Sequence, residues 1–161
     1  MFIGHYYHTI EAKGRLAIPQ AFRSKLSSGG VITAGLDGCL FLLPKSYWQQ
    51  LSEKLSALPL TNKIGRQFIR FLVQSAVELE MDSQGRTLIP DYLKEKASLT
   101  KNVVVAGALT RIEIWDRERY HQHLNFITAQ NPDFENNLND LNIWSSATIQ
   151  PLRVKSRNYF Y

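Results

Sequence analysis

Residues 11–19 read Glu-Ala-Lys-Gly-Arg-Leu-Ala-Ile-Pro, and residues 82–90 read Asp-Ser-Gln-Gly-Arg-Thr-Leu-Ile-Pro. Both are an acid, two residues, Gly-Arg, two residues and Ile-Pro, displaced by 71 positions. With glycine at about 7% and proline at about 5% of average usage, five matches in register are not a chance event. The likeness continues downstream. Phe22 and Lys25 fall opposite Leu93 and Lys96, and after a one-residue insertion Val31-Ile32-Thr33-Ala34-Gly35 faces Val103-Val104-Val105-Ala106-Gly107. Leu40-Phe41-Leu42 then faces Ile112-Glu113-Ile114, and Trp48 corresponds to Tyr120. The chain is a tandem duplication, and 161 residues leave room for one large domain or two small, intimately packed ones.

Each copy reads as the same series of elements. A strand (Tyr6 to Ile10; Val77 to Met81) enters a tight turn at acid-x-x-Gly-Arg and leaves as a second strand (Leu16 to Ile18; Thr87 to Ile89). Glycine suits that turn because it adopts positive φ without a Cβ clash. Pro19 and Pro90 stand where a first helical residue would, opening short helices that reach about Leu26 and Ala97. Two further strands pair in each copy, Val31–Ala34 with Cys39–Leu43 and Val103–Ala106 with Arg111–Trp115. The first of these connections carries Leu36-Asp37-Gly38, a hairpin signal. A helix closes each copy. One starts near Pro44 with Tyr47, Trp48, Leu51, Leu55 and Leu58 along one face, and the other runs from an Asp116 cap to about Ile127.

Between the copies, residues 63–74 have helical spacing of Ile64, Phe68, Phe71 and Leu72, which predicts a packed connector, with Arg66 and Arg70 on a different face. The expected organisation is a first module over residues 5–47, a helical connector over 48–75, a second module over 76–119, and a C-terminal helix with an irregular tail over 120–161. Residues 133–142 are polar and Asn-rich, and residues 153–161 mix three basic with three aromatic residues. Disorder and packing on a partner subunit both remain open for this tail.

The formal charge of +5 favours a polyanionic partner without requiring one. Hydrophobic residues at 44% and charged residues at 20% are ordinary globular usage. The single cysteine, Cys39, precedes Leu40-Phe41-Leu42 and reads as a small core residue; one thiol cannot form an internal disulfide, which fits a reducing compartment. No signal peptide opens the chain and no apolar run approaches the roughly 20 residues needed to cross a bilayer, so a soluble, cytoplasmic protein without a membrane partner is expected.

The string Met1-Phe2-x-Gly4-x-Tyr6-x-His8-x-Ile10-x-x-Lys13-Gly14-Arg15-x-x-x-Pro19 resembles the opening of the MraZ family of bacterial transcriptional regulators. Asp82-x-x-Gly85-Arg86 with Ile89-Pro90 resembles that family's second half, and Gly35-Leu36-Asp37-Gly38-Cys39-Leu40 and Phe68-x-Arg70-Phe71 match it too. The resemblance covers roughly residues 1–127. It implies a mainly β fold with short helices (α+β), in which two AbrB-like modules interlock as one swapped-hairpin double-split β-barrel flanked by helices. It also implies a ring-shaped homo-oligomer, association with the nucleoid, and repression of the division and cell-wall gene cluster through repeated promoter sites on double-stranded DNA. By the same resemblance, Arg15 and Arg86 enter the major groove. This chain departs from the family at Glu11, where Asp is usual, and at Ile3, where a basic residue is usual.

The residues themselves support such a role. A two-stranded ribbon fits the major groove, and an arginine at its tip donates two parallel hydrogen bonds to guanine O6 and N7. Gly14 and Gly85 allow close backbone approach, while Glu11 and Asp82 are placed to hold the loops and their arginines through hydrogen bonds. Lys13 lies in the first loop, and Arg23, Lys25, Lys94 and Lys96 lie on the helices that follow. Together they would supply the phosphate-directed attraction, while each alone also reads as a solvated charge and which of them face DNA stays open. Duplication presents two arginines on one face. Few bases are reached by one such unit, so specificity calls for several subunits on repeated sites.

An enzyme finds little support. His121-x-His123 diverges on a helix and His5-x-x-His8 on a strand, and no Cys/His ligand set, nucleophile elbow, P-loop or dinucleotide glycine pattern is present. The row Glu78, Glu80 and Asp82 could face one side of a strand and bind a cation, or be an exposed strand face, the preferred reading. No metal, cofactor or small-molecule substrate is expected. A protein-interaction module of the same fold, such as the antidote half of a toxin pair, would use the tail to wrap its partner; salt dependence of binding to random DNA separates it from a regulator.

Overall fold

The computed structural model describes residues 1–129 together with Leu138 and Leu141, so the expected tail lies, those two leucines apart, outside the described residues. The elements in order are β1 (His5–Thr9), β2 (Arg15–Ala17), α1 (Gln20–Arg23) continuing as a 3-10 turn over Ser24–Leu26, β3 (Gly30–Ala34), β4 (Leu40–Pro44), α2 (Lys45–Ser56) and α3 (Lys63–Val73). Then come β5 (Val77–Glu78), β6 (Arg86–Leu88), α4 (Asp91–Lys96), β7 (Asn102–Ala108), β8 (Arg111–Asp116) and α5 (Arg117–Ala129). Met1–His121 form one unit, and Gln122 begins another. The fold is α+β, built on strands with several short helices.

The β-branched runs at residues 31–33 and 103–105 become β3 and β7, buried on both faces, as their lack of alternation requires. Six strands form one sheet in the order β1-β7-β8-β4-β3-β5, while β2 and β6 form a separate two-stranded ribbon. The sheet does not close into the barrel expected from the sequence, because β1 pairs only with β7 and the two-residue β5 only with β3, leaving both as edges. The strands flanking each acid-x-x-Gly-Arg turn touch each other through single bridges, Ile10 to Leu16 and Met81 to Thr87. Past the turn, each chain leaves the sheet, and the second strands find one another: Arg15 opposes Leu88, Leu16 opposes Thr87 and Ala17 opposes Arg86.

Two of these registers map onto themselves when the halves exchange. A shift of 71 residues turns the Arg15–Leu88 pair into the Arg86–Ala17 pair. In the sheet, a shift of 72 turns Leu40–Ile114 into Ile112–Leu42 about the central Phe41–Glu113 pair.

The main core lies between ribbon and sheet. Leu16, Ile18 and Ile89 with Phe22 and Leu93 pack against Ile32, Leu40, Leu42, Val103, Val105, Ile112 and Ile114. On the opposite face of β3, Thr33 and Ser75 hydrogen-bond each other at 2.9 Å, and the Ala34 N–H donates to Ser75 Oγ at 3.2 Å, so these buried hydroxyls are satisfied where α3 ends. A smaller cluster of Cys39, Val104, Ala106 and Trp115 is packed by Phe41 and Tyr120.

Several local expectations shift. Pro19 and Pro90 have extended ψ of 134° and 147° and stand one residue before α1 and α4, capping them instead of opening them. Asp116 does cap α5: its Oδ1 accepts from the Glu118 N–H at 3.0 Å and the Arg119 N–H at 3.3 Å. On α2 only Leu55 is buried, with Tyr47, Trp48 and Leu51 half-buried, and Leu58, expected on the same face, lies half-buried beyond the end of the helix. The connector helix forms as expected, yet its apolar set is not all packed. Leu72 is 2% exposed, but Ile64 is 77% and Phe71 39%, since apolar residues occupy more of α3 than the single face that meets β3. Among the described residues no helix is long and apolar enough to cross a membrane.

Two outcomes follow from this packing. Leu16→Ala opens a void under the ribbon and lowers unfolding free energy by about 2–5 kcal/mol, measured as a fall in the urea midpoint. Cys39 is 2% exposed, and burial, aided by the Glu113 and Asp37 carboxylates, pushes its thiol pKa well up. The folded protein therefore resists thiol alkylation at pH 8 and reacts fully once unfolded.

Candidate nucleic-acid interface

The two acid-x-x-Gly-Arg loops share one backbone solution. Gly14 N–H donates to Glu11 O at 2.8 Å and Glu11 N–H to Arg15 O at 2.9 Å; the equivalent Gly85–Asp82 and Asp82–Arg86 bonds are both 2.9 Å. Gly14 and Gly85 take φ of 76° and 75°, the left-handed position of a three-residue hairpin loop. The loops are also tied across the halves, since Ile18 N–H donates to Gly85 O and Ile89 N–H to Gly14 O, each at 2.9 Å.

Alternation along the ribbon decides where the arginines point. Leu16 and Thr87 face the core at 0% and 2% exposure, so their neighbours Arg15, Ala17, Arg86 and Leu88 share the outer face. Each arginine follows its own loop, and one ribbon drawn from both halves carries the pair, at opposite ends of a three-residue ladder.

The acids treat their loops differently. Asp82 Oδ1 accepts from the Gln84 N–H at 2.9 Å and the Arg86 N–H at 3.0 Å, and Oδ2 accepts from Arg86 Nε at 2.9 Å. Those bonds, the Arg86 amide foremost, hold the Asp82 carboxyl below its ordinary pKa; Asp82 in turn raises Arg86. Glu11, one methylene longer, reaches along and across the ribbon. Its Oε2 lies 3.3 Å from Arg15 Nε, and its Oε1 accepts from Arg86 Nη1 at 3.2 Å. Arg15 Nε is shielded from water, but its contact with Glu11 is an ion pair without hydrogen-bond alignment.

Arg23 and Lys94, which the 71-residue shift superposes, complete the surroundings. Arg23 Nε donates to Ile18 O at 2.7 Å, and its guanidinium lies against Gly85, where an added Cβ would come within 2.3 Å of Cζ. Lys94 Nζ pairs with Asp91 at 2.7 Å and sits 3.4 Å from the place a Gly14 Cβ would take. Each cation thus covers the loop glycine of the other half. In the sequence both are cations on the helices after the loops; their crossed placement is not legible there, although the spacing that exposes the duplication also aligns these two positions. Lys13, Lys25 and Lys96 are exposed.

Other sequence candidates lie apart. Glu78, Glu80 and Asp82 are exposed, and β5 includes only the first of them. His121 Nε2 meets Tyr7 Oη at 3.3 Å within an aromatic group that includes His5 and Tyr120. No group of three or more His, Cys, Asp or Glu among the described residues converges to hold a metal. A cavity of about 340 Å³ lined by Gly30, Val31, Trp48, Val77 and Leu79, among others, contains none of the loop residues.

Fold and site together define an α+β protein of two like halves that sets two arginines, ringed by further cations, on the outer face of a shared ribbon. A family model described as "MraZ protein, putative antitoxin-like" matches residues 1–71 and again residues 72–147. The transcriptional regulator MraZ of Heliobacterium modesticaldum is 50% identical over 123 residues, covering 76% of this chain and 86% of that protein. The transcriptional regulator MraZ of Carboxydothermus hydrogenoformans is 46% identical over 125 residues, 78% of this chain and 87% of its own length. That of Clostridium beijerinckii is 44% identical over 146 residues, 89% of this chain and all of its own. The chain belongs to the MraZ family.

Gly85→Ala tests the loop geometry. The left-handed backbone costs about 1–2 kcal/mol with a Cβ present, and displacement of Arg23 adds to it, so the variant melts earlier than wild type in a thermal scan.

Proposed function

We propose that the protein is a sequence-specific DNA-binding transcriptional regulator, a binding protein and not an enzyme, that represses the division and cell-wall gene cluster from repeated promoter sites. One observation carries the reading. Arg15 and Arg86 stand on one solvent-facing side of a single ribbon, linked through Glu11. A two-stranded ribbon is narrow enough for the major groove, and two residues of strand separate the arginines by about 7 Å along it. Base pairs rise about 3.4 Å, so the pair addresses guanines about two steps apart. Lys13, Arg23 and Lys94 supply the phosphate-directed attraction, the last two from over the buried loop glycines Gly85 and Gly14.

In this reading residues 5–47 and 76–119 are AbrB-like modules of the swapped-hairpin kind, joined by a connector over 48–75. The crossed pairing of β1 with β7 and of β5 with β3 supports it. The exposed Leu60, Ile64, Phe71 and Val73 around α3 give a second copy something to cover, which supports a homo-oligomer, ring-shaped in the proposed form. Several subunits on repeated sites turn a few base contacts into useful specificity, with the nucleoid as the working location.

Gel shifts on the protein's own promoter fragment and on a scrambled duplex test the reading. Arg15→Ala and Arg86→Ala each lose roughly 5- to 150-fold of the preference between the two, the worth of one bidentate contact, with unchanged melting. Lys13→Ala weakens both duplexes alike and lowers the salt slope by about 1. Full preference in both arginine variants would refute the assignment.

A further inference from the structure

Glu11 and Asp82 occupy the same place in the two halves and differ by one methylene, yet they do different work. Asp82 is short enough to fold back on its own loop, taking the Gln84 and Arg86 amides and Arg86 Nε. Glu11 has no such bond to the Lys13 or Arg15 amide among its hydrogen bonds. Its carboxylate spans the ribbon instead, 3.3 Å from Arg15 Nε and 3.2 Å from Arg86 Nη1. The two arginines are consequently unequal. Arg86 is gripped from two sides by carboxylates of both halves, which fixes the plane of its guanidinium. Arg15 meets one carboxylate only, with its Nε shielded from water and unaligned.

From this geometry we propose that Glu11 is a positioning residue for base recognition by both loops, tying Arg15 and Arg86 into one reading unit, so that a residue of the first half sets the base preference of the second. The proposal rests on the DNA reading above. A bidentate contact requires the guanidinium plane to lie in the plane of the base pair, so a carboxylate that fixes the plane also fixes which base edge is accepted. With Asp82 on Nε and Glu11 on Nη1, the orientation of Arg86 depends on a side chain 75 positions away in sequence. Glu11→Asp keeps the charge but shortens the reach, giving loop one the self-contained arrangement of loop two. Glu11→Gln keeps the reach and one acceptor oxygen.

The test is a base-substitution series across the promoter site, measured by competition for wild type, Glu11→Asp, Glu11→Gln and the double variant Glu11→Asp/Arg86→Ala. Arg15→Ala and Arg86→Ala first mark which positions each arginine reads. The expected result is that Glu11→Asp relaxes discrimination about two- to fivefold at both sets of positions, the scale of an exposed ion pair, while melting like wild type. Glu11→Gln should regain part of that loss, and in the Arg86→Ala background the Glu11→Asp effect at the Arg86 positions should vanish. Relaxation confined to the Arg15 positions, or none at all, overturns the proposal while leaving the regulator reading intact. Failure of wild type to distinguish promoter from scrambled duplex instead overturns the reading on which it rests.

Discussion

A three-residue antiparallel ladder between β2 and β6 is the contact on which the remaining arrangement depends. It joins the halves at the point where each chain leaves the sheet, and its central pair, Leu16 and Thr87, is buried against the main core. Strand alternation then leaves no choice for the flanking residues: Arg15 and Arg86 must face solvent on one side. A slip of one residue would bury both guanidinium groups and expose Leu16, so apolar burial sets the register that the arginines use.

Different forces hold the ribbon and orient its charged groups. Burial of Leu16, Ile18, Ile89, Phe22 and Leu93, with the reciprocal Ile18–Gly85 and Ile89–Gly14 backbone bonds, keeps the ribbon in place. The carboxylate–arginine pairs on its outer face are exposed, and such pairs contribute little to stability. Weak pairing is an advantage here. In the DNA-binding reading proposed above, the carboxylates set the guanidinium planes that meet the bases, and the fold beneath does not depend on those pairs.

Leu60, Ile64, Phe71 and Val73, around α3, are among the large hydrophobic groups that the unit leaves uncovered. Leu72 and the Ser75 hydroxyl are buried against the sheet, while Ile64 and Phe71 stay exposed. The apolar face of α3, opposite Lys63, Arg66, Gln67 and Arg70, is wider than the part of it that the sheet covers. The homo-oligomer proposed above would cover the remainder, and in the proposed DNA reading several copies are also what a two-arginine unit needs to be selective.

Much of the chain was legible in advance. The repeated acid-x-x-Gly-Arg and Ile-Pro spacing located both loops, their positive-φ glycines and their arginines, because a turn of that kind is set by local backbone preference. The β-branched runs located β3 and β7, and the Asp116 cap and the α3 periodicity located α5 and the connector. What could not be read was pairing. No local rule says that β2 pairs with β6 of the other half, that the sheet stays open at β1 and β5, or that Arg23 and Lys94 lie over each other's loops; these depend on long-range contacts that only a folded core selects. The division of labour between Glu11 and Asp82 belongs to the same class. Sequence shows one extra methylene, but only the tertiary arrangement, by bringing Arg86 within 3.2 Å, decides that the longer side chain bridges the halves rather than closing its own turn.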